Sequence, residues 1–244
     1  VSPLPLIWKR YLRLAVPYLA AIGLAIMAAA IADHWMDDEA IPDRATVAQW
    51  LAHAFLLHGV LGYDALSAGV WYIAIDFQLF VLMVALLWLA RCAPAAGACR
   101  HPAPVLVSAL TIASLFHFNR DAAWDNWALY FFGAYGLGVL AFWASGREHR
   151  LFWLGVVAAM GLAALLVDFR SRIAVALLVA LLLGGTRSSA VAQRWLDVRP
   201  LAFLGRISYS VFLANYPVCL AINAAFARFA PGDPLINAFG LLLA

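Results

Sequence analysis

Long apolar runs alternate along this chain with short stretches rich in charge, glycine and proline. A run of about 20 apolar residues is what a helix needs to cross a bilayer. On that pattern helices are predicted near 13–32, 70–90, 103–118, 126–145, 151–167, 173–186 and 206–228. An eighth run, 235–244, is too short to span and reads as the start of a further helix. Residues 47–62 are only moderately apolar and carry His53 and His58. They fit a re-entrant or interfacial helix better than a span. Strand-like alternation is absent, which argues against a membrane barrel. The expected fold is all-α: one membrane-embedded domain over 1–244, a polytopic transmembrane helical bundle of about seven complete spans plus a truncated last one.

One acid interrupts the pattern. Asp76 sits inside Val70-Trp71-Tyr72-Ile73-Ala74-Ile75-Asp76-Phe77-Gln78-Leu79-Phe80, and no other charge follows until Arg91. A charged side chain at the centre of a membrane helix costs about 2.5–3.5 kcal/mol on insertion scales. Such a residue is a candidate functional group unless a partner neutralises it.

Composition agrees with the pattern. The chain of 244 residues is 66% hydrophobic and 12% charged, where about half apolar is ordinary for a soluble domain. The surroundings this implies are a lipid bilayer, and no nucleic-acid partner is expected. Cys92, Cys99 and Cys219 are too few and too scattered for a disulfide framework. No histidine or cysteine spacing suggests a metal site.

Charge placement orients the helices. If Lys9, Arg10 and Arg13 are cytoplasmic, so are Arg91, Arg100, Arg147, Arg150, Arg187, Arg194, Arg199 and Arg206, which together make 11 of the 16 basic residues. Arg44, Arg120, Arg170, Arg172 and Arg228 fall on the other side. Basic residues favour cytoplasmic loops, so residue 1 is expected in the cytoplasm and Asp76 about two turns from the outer end of its helix.

Three stretches could carry chemistry. In the first, Trp71, Asp76 and Gln78 could line a polar cavity, or Asp76 could order the bundle through an interhelical bond. In the second, Leu204–Pro217, the polar groups Ser208, Ser210 and Asn215 enter an apolar helix that Pro217 interrupts. Polar, broken helices line cavities, and a proline kink satisfied by its own neighbours gives the same pattern. In the third, Trp8-Lys9-Arg10-Tyr11-Leu12-Arg13 precedes Pro17. These basic residues are either topology anchors or a phosphate-binding patch, since the guanidinium fork matches phosphate. His53, His58 and His117 lie toward the outer face on this map. Each could titrate near Asp76 or be an ordinary satisfied or solvated histidine.

At these three stretches the sequence resembles the acyltransferase 3 family of integral membrane proteins. The basic stretch with Pro17 is similar to the family's R-R-x-x-R-x-x-P motif. Gly69–Phe80 is similar to its W-s-L-s-v-E-x-q-F-Y segment, with Asp76 at the glutamate position. Leu204–Pro217 is similar to its L-G-x-i-S-Y-s-x-Y-L-x-H-x-P helix, with Asn215 at the histidine. The resemblance implies a bacterial inner-membrane enzyme. It would move an acyl group, acetyl in the first instance, from cytoplasmic acyl-CoA to a hydroxyl of an extracytoplasmic glycan, with no bound cofactor. Asp76 would be its catalytic carboxylate. Arg10 and Arg13 would meet the donor's phosphates, and Trp71, Gln78, Ser208, Tyr209 and Asn215 would bind substrate. The family's first helix, with its Arg and His, has no counterpart here, so the chain is expected to lack two helices. The competing readings are a transporter or flippase of glycans or lipids, for which no inverted repeat is visible, and an inactive remnant of the family.

Overall fold

The structure is a computed structural model and describes residues 2–35, 45–92, 102–187 and 199–229. Eight α-helices run through these residues: α1 (Leu4–Trp35), α2 (Val47–Ala54), α3 (Val70–Cys92), α4 (Pro102–Phe116), α5 (Ala128–Ser145), α6 (Arg150–Val167), α7 (Ser171–Thr186) and α8 (Arg199–Phe229). Two short 3-10 turns, Phe118–Arg120 and Ala122–Trp124, link α4 to α5. No strand occurs among the described residues. Six of these segments are long and apolar enough to cross a membrane, and α7 is a shorter apolar helix. The seven expected spans and the seven apolar helices coincide to within a few residues, except where α1 and α8 extend further toward their basic N-terminal ends. The run at 235–244 lies outside the described residues.

The chain forms two compact units. The first holds residues 1–7 and 75–202, with α5 at its centre against α4, α6 and α7. Its core joins Phe132, Leu137 and Ala141 of α5 to Val107 and Leu115 of α4, Leu154 and Val157 of α6, and Ile173 and Leu177 of α7. Lipid is as apolar as these side chains, so close packing and hydrogen bonds hold the helices together. Small residues make the close packing possible. A Cβ added at Gly136 would lie 2.0 Å from Thr111 Oγ1. The large side chains point the other way: Leu166 of α6 is 88% exposed and Leu151 76%.

Hydrogen bonds pin the first unit at both ends. The Ser114 hydroxyl of α4 donates to Leu129 O at 2.6 Å and accepts from Gly133 N–H at 2.7 Å. These two backbone groups are the i, i+4 pair of one turn of α5, so the serine is inserted into that turn. Nearby, Arg170 donates from Nη2 to Leu115 O at 2.9 Å, from Nη1 to Asn119 Oδ1, and from Nε to Asp168 O at 3.3 Å. Burial lowers the pKa of its guanidinium, the Asp168 carboxylate opposes that shift, and Arg120 and Arg172 add to it. At the opposite end, Arg187 donates to Phe142 O at 2.8 Å and to Ser145 Oγ at 3.1 Å. There it satisfies one of the last carbonyls of α5. Arg147 and Arg187 thus share one end, and Arg120, Arg170 and Arg172 the other, as the charge map expects.

The second unit holds the described residues within 8–74 and 203–229. In it α1 and α8 run parallel. Tyr209 meets Leu14, 195 positions earlier. Ala28 and Ala32 pack with Leu220 and Ala224, and Trp35 meets Phe229 edge-on at 5.7 Å. The buried face of α1 is Tyr18, Ala21, Ile22, Ala25, Ala28 and Ala32. That i, i+3/i+4 stripe of small residues lets a neighbour approach closely.

The segment between α1 and α3 is where the structure departs most from the sequence map. The capping box of α2 is complete, with Thr46 and Gln49 each bonding the other's backbone N–H. The helix stops after eight residues, and no further helix forms before Val70. Its last carbonyl, Ala54 O, accepts from Tyr11 OH at 2.7 Å. Tyr11 is 24 residues from Trp35, about 36 Å along α1. The histidines of this segment therefore lie beside the N-terminal part of α1, and not near its Trp35 end, where the map had placed them.

Candidate functional site

Parts of the three motif stretches meet in the second unit. On α1, Arg10 and Arg13 stand one turn apart, the former partly buried and the latter exposed, and Trp8 stacks on Tyr11 at 5.4 Å. Pro17 has no N–H to give to Arg13 O, which loosens the backbone ladder at this level. One residue on, Leu14 O accepts from Tyr209 OH of α8 at 2.9 Å. One turn beyond Tyr209, Phe212 meets Tyr72 edge-on, with ring centroids 6.2 Å apart. Trp71 in turn stands T-shaped to Tyr72 at 6.1 Å. The chain enters α3 through Gly69, whose φ of +80° favours glycine and whose added Cβ would lie 2.7 Å from the Phe212 ring.

The other α8 candidates are bonded locally. Ser208 Oγ donates to Gly205 O at 3.0 Å, and Asn215 Oδ1 accepts from Cys219 Sγ at 3.2 Å. Both are exposed. The helix continues unbroken through Pro217. Tyr209 is thus the α8 candidate that reaches the basic stretch of α1.

Asp76 and Gln78 belong to the first unit. Gln78 Oε1 accepts from Ala128 N–H at 3.1 Å, which satisfies the first orphan donor of α5. Two residues on a helix are about 200° apart, so Asp76 looks away from that contact. Asp76 is partly exposed and lies about 9 Å along α3 from Val70.

Several residues in these contacts did not stand out in the sequence. Tyr11 and Phe212 look like ordinary apolar-face aromatics, and only their spacing to Pro17 and Tyr209 hints at a role. His53 and His58 were visible as residues, but not that they stack, with centroids 4.1 Å apart and planes within 9°. His117 is exposed and packs edge-on to Phe118. Among the described residues no group of three or more His, Cys, Asp or Glu could hold a metal.

A family model described as an acyltransferase domain matches residues 3–244, nearly the whole chain. The chain belongs to the acyltransferase 3 family. With its apolar helices, this acyltransferase 3 family member is a multi-pass membrane protein. A comparison with curated proteins finds no match. A comparison with solved structures finds none either.

Proposed function

We propose that this acyltransferase 3 family member transfers an acyl group, with acetyl the first to test, from cytoplasmic acyl-CoA to a hydroxyl of an extracytoplasmic glycan. The membership of residues 3–244 in the family carries this reading. The membrane is the bacterial inner membrane, and residue 1 faces the cytoplasm. In the reaction the acceptor hydroxyl gives up its proton and its oxygen bonds the acyl carbon. The carbon–sulfur bond then breaks, and CoA leaves as the thiol.

The roles follow from chemistry and position. Arg10 and Arg13, one turn apart near the N-terminal end of α1, suit the donor's phosphates, because a guanidinium fork binds phosphate oxygens in pairs. Asp76 supplies the carboxylate that orients or charge-balances the reacting groups. Trp71 offers a ring face to a sugar, and Tyr209 holds α8 to the basic stretch. Ser208 and Asn215, exposed on α8, are the remaining substrate-binding candidates, and Gln78 supports the helix that carries Asp76.

The test is transfer of labelled acetyl from acetyl-CoA to isolated surface glycans by the full-length protein in detergent-permeabilised membranes, where both faces are open to added substrate, read by mass spectrometry. Asp76→Asn is expected to reduce transfer at least about tenfold, about 1.4 kcal/mol of lost transition-state stabilisation. Wild-type rates in that variant would remove Asp76 from the site. Failure of the wild-type protein to label any glycan, with glycan translocation instead, would favour the flippase reading.

A further inference from the structure

The irregular segment 55–69 holds a histidine that the acyl-transfer scheme does not use. Its near end is fixed where Ala54 O meets Tyr11, and its far end where Gly69 lies under Phe212. Phe212 is one turn past Tyr209, so by the α1–α8 register Gly69 is level with the Pro17 turn, about 27 Å short of Trp35. Both ends of the segment therefore lie along the N-terminal half of a membrane-spanning helix. The far end, level with Pro17, lies within the expected span 13–32, where non-helical backbone persists only if it is enclosed by protein or lines a wet cavity.

The local backbone is built to present the histidine. Leu56 is fully buried with φ at +58°, a left-handed conformation that a leucine rarely adopts. Leu56 N–H donates to His53 O at 2.9 Å and Leu57 N–H to Ala52 O at 2.9 Å. This turn lays the His58 ring flat on the His53 ring.

The two rings are not equivalent. His53 Nε2 faces the Leu66 N–H, which can only donate, at 3.2 Å. Nδ1 must then carry the proton, and it donates to Gln49 O at 2.9 Å. His53 is thus neutral, saturated and fixed. His58 is 1% exposed, and neither of its ring nitrogens has a hydrogen-bond partner among the described residues. A buried polar atom left without a partner destabilises the fold unless something else satisfies it. Tyr18 OH, on the same face of α1 as Tyr11, is likewise buried without a hydrogen-bond partner.

Chemistry narrows what would fill this gap. Lone pairs of stacked rings lie in parallel planes, and those of His53 are already committed, so the pair cannot chelate a metal ion. A neutral imidazole offers one donor and one acceptor. A hydroxyl group, itself both donor and acceptor, complements it.

We propose that His58 is a ligand-binding residue that holds hydroxyls of a sugar-class ligand within the 55–69 segment, accepting at one ring nitrogen and donating from the other. This rests on the glycan-acceptor reading above, with the acceptor reaching inward from the outer face to the level of His58, toward the donor end of α1.

Diethyl pyrocarbonate, which acylates neutral imidazole nitrogen, tests the proposal in the full-length protein in membranes. His58 is expected to be modified and His53 spared, as read by peptide mass spectrometry. At least one of the methyl glycosides of glucose, galactose and N-acetylglucosamine is expected to slow that modification several-fold. His58→Leu is expected to raise the acceptor KM about five- to tenfold, as the loss of one or two hydrogen bonds does. Its melting temperature should be unchanged or higher, because two orphan nitrogens are gone. His58→Gln, which keeps a donor and an acceptor, should recover part of the KM. An unreactive His58, modification that none of the glycosides slows, or an unchanged KM in His58→Leu would each overturn the proposal. If the protein transfers no acyl group at all, the labelling and its protection still decide the role of His58.

Discussion

Arg170 shows how a single cation can hold a helical unit in lipid. Its three donor nitrogens reach Leu115 O, Asn119 Oδ1 and Asp168 O, while the Asp168 carboxylate is 3.5 Å away. Asn119 is itself buried and donates to Tyr130 O at 2.7 Å. Arg170→Ala would leave these acceptors without a donor, and hydrogen bonds to charged groups are worth about 1.5–3 kcal/mol each. We expect a loss of roughly 3 kcal/mol, measured as earlier unfolding of the detergent-solubilised protein. Arg170→Lys should recover only part of it, because an ammonium cannot span the same fork. Equal stability of Arg170→Ala and wild type would show the network to be dispensable. The stacked histidines give a second expectation at this scale. Burial is the larger cause holding the His58 pKa well below the usual value of 6.5, and His53 beside it the smaller. Burial also lowers His53, partly offset by its bond to Gln49 O. Below pH 6.5 the unfolded chain takes up protons that the folded histidines resist, so stability falls as pH falls. Melting temperatures between pH 8 and pH 5 should decline on the acid side, and less steeply in His58→Leu. An identical slope in that variant would place the pH dependence elsewhere.

Individual helices were readable from the chain because each is an uninterrupted apolar run between charged ends. How they touch was much less readable. Gly136 is one of several glycines in α5, and nothing in the sequence says that Thr111 of α4 lies against it. Thr111 is itself fixed, donating to Val107 O at 2.7 Å. Gly136→Ala should therefore destabilise the protein by about 1–3 kcal/mol, the usual cost of overpacking. Thr111→Ala in the same chain removes the nearest atom and should return part of that loss. A double-mutant cycle measures the coupling, and additive effects would refute the contact. Gln78 makes a related point. As a polar residue next to Asp76 it reads as a ligand group, yet its side chain caps the first turn of α5. Position along one helix shows polarity, but the use of that polarity depends on a partner 50 residues away. The 47–69 region was legible only as a departure from the spanning pattern. Its form is set by caps, a left-handed leucine and a tyrosine on another helix, none of which has a periodicity.

For the molecule as a whole, the parallel pairing of α1 and α8 is the contact with the longest reach. The charge map expected both helices to run in the same direction, from basic N-terminal ends. It could not say that they touch, because the alanine stripe of α1 would suit any close neighbour. Cysteines at Ala32 and Ala224, with Cys92, Cys99 and Cys219 replaced, should be joined by a short bis-maleimide. Cysteines at Ala32 and Ser210, near opposite ends of the pair, should not be. Cross-linking of the second pair and not the first would make the helices antiparallel.

That pairing sets an order of events during synthesis. Chains grow at roughly 5–20 residues per second, so α1 leaves the ribosome on the order of 10–40 s before the part of α8 that packs against it. For that interval its small-residue stripe faces lipid or a chaperone. The first unit, whose helices follow one another along the chain, can close without waiting. Slowed translation between α7 and α8 would then lengthen the exposure of α1 and leave a half-assembled protein open to degradation, even though no residue of the finished fold had changed.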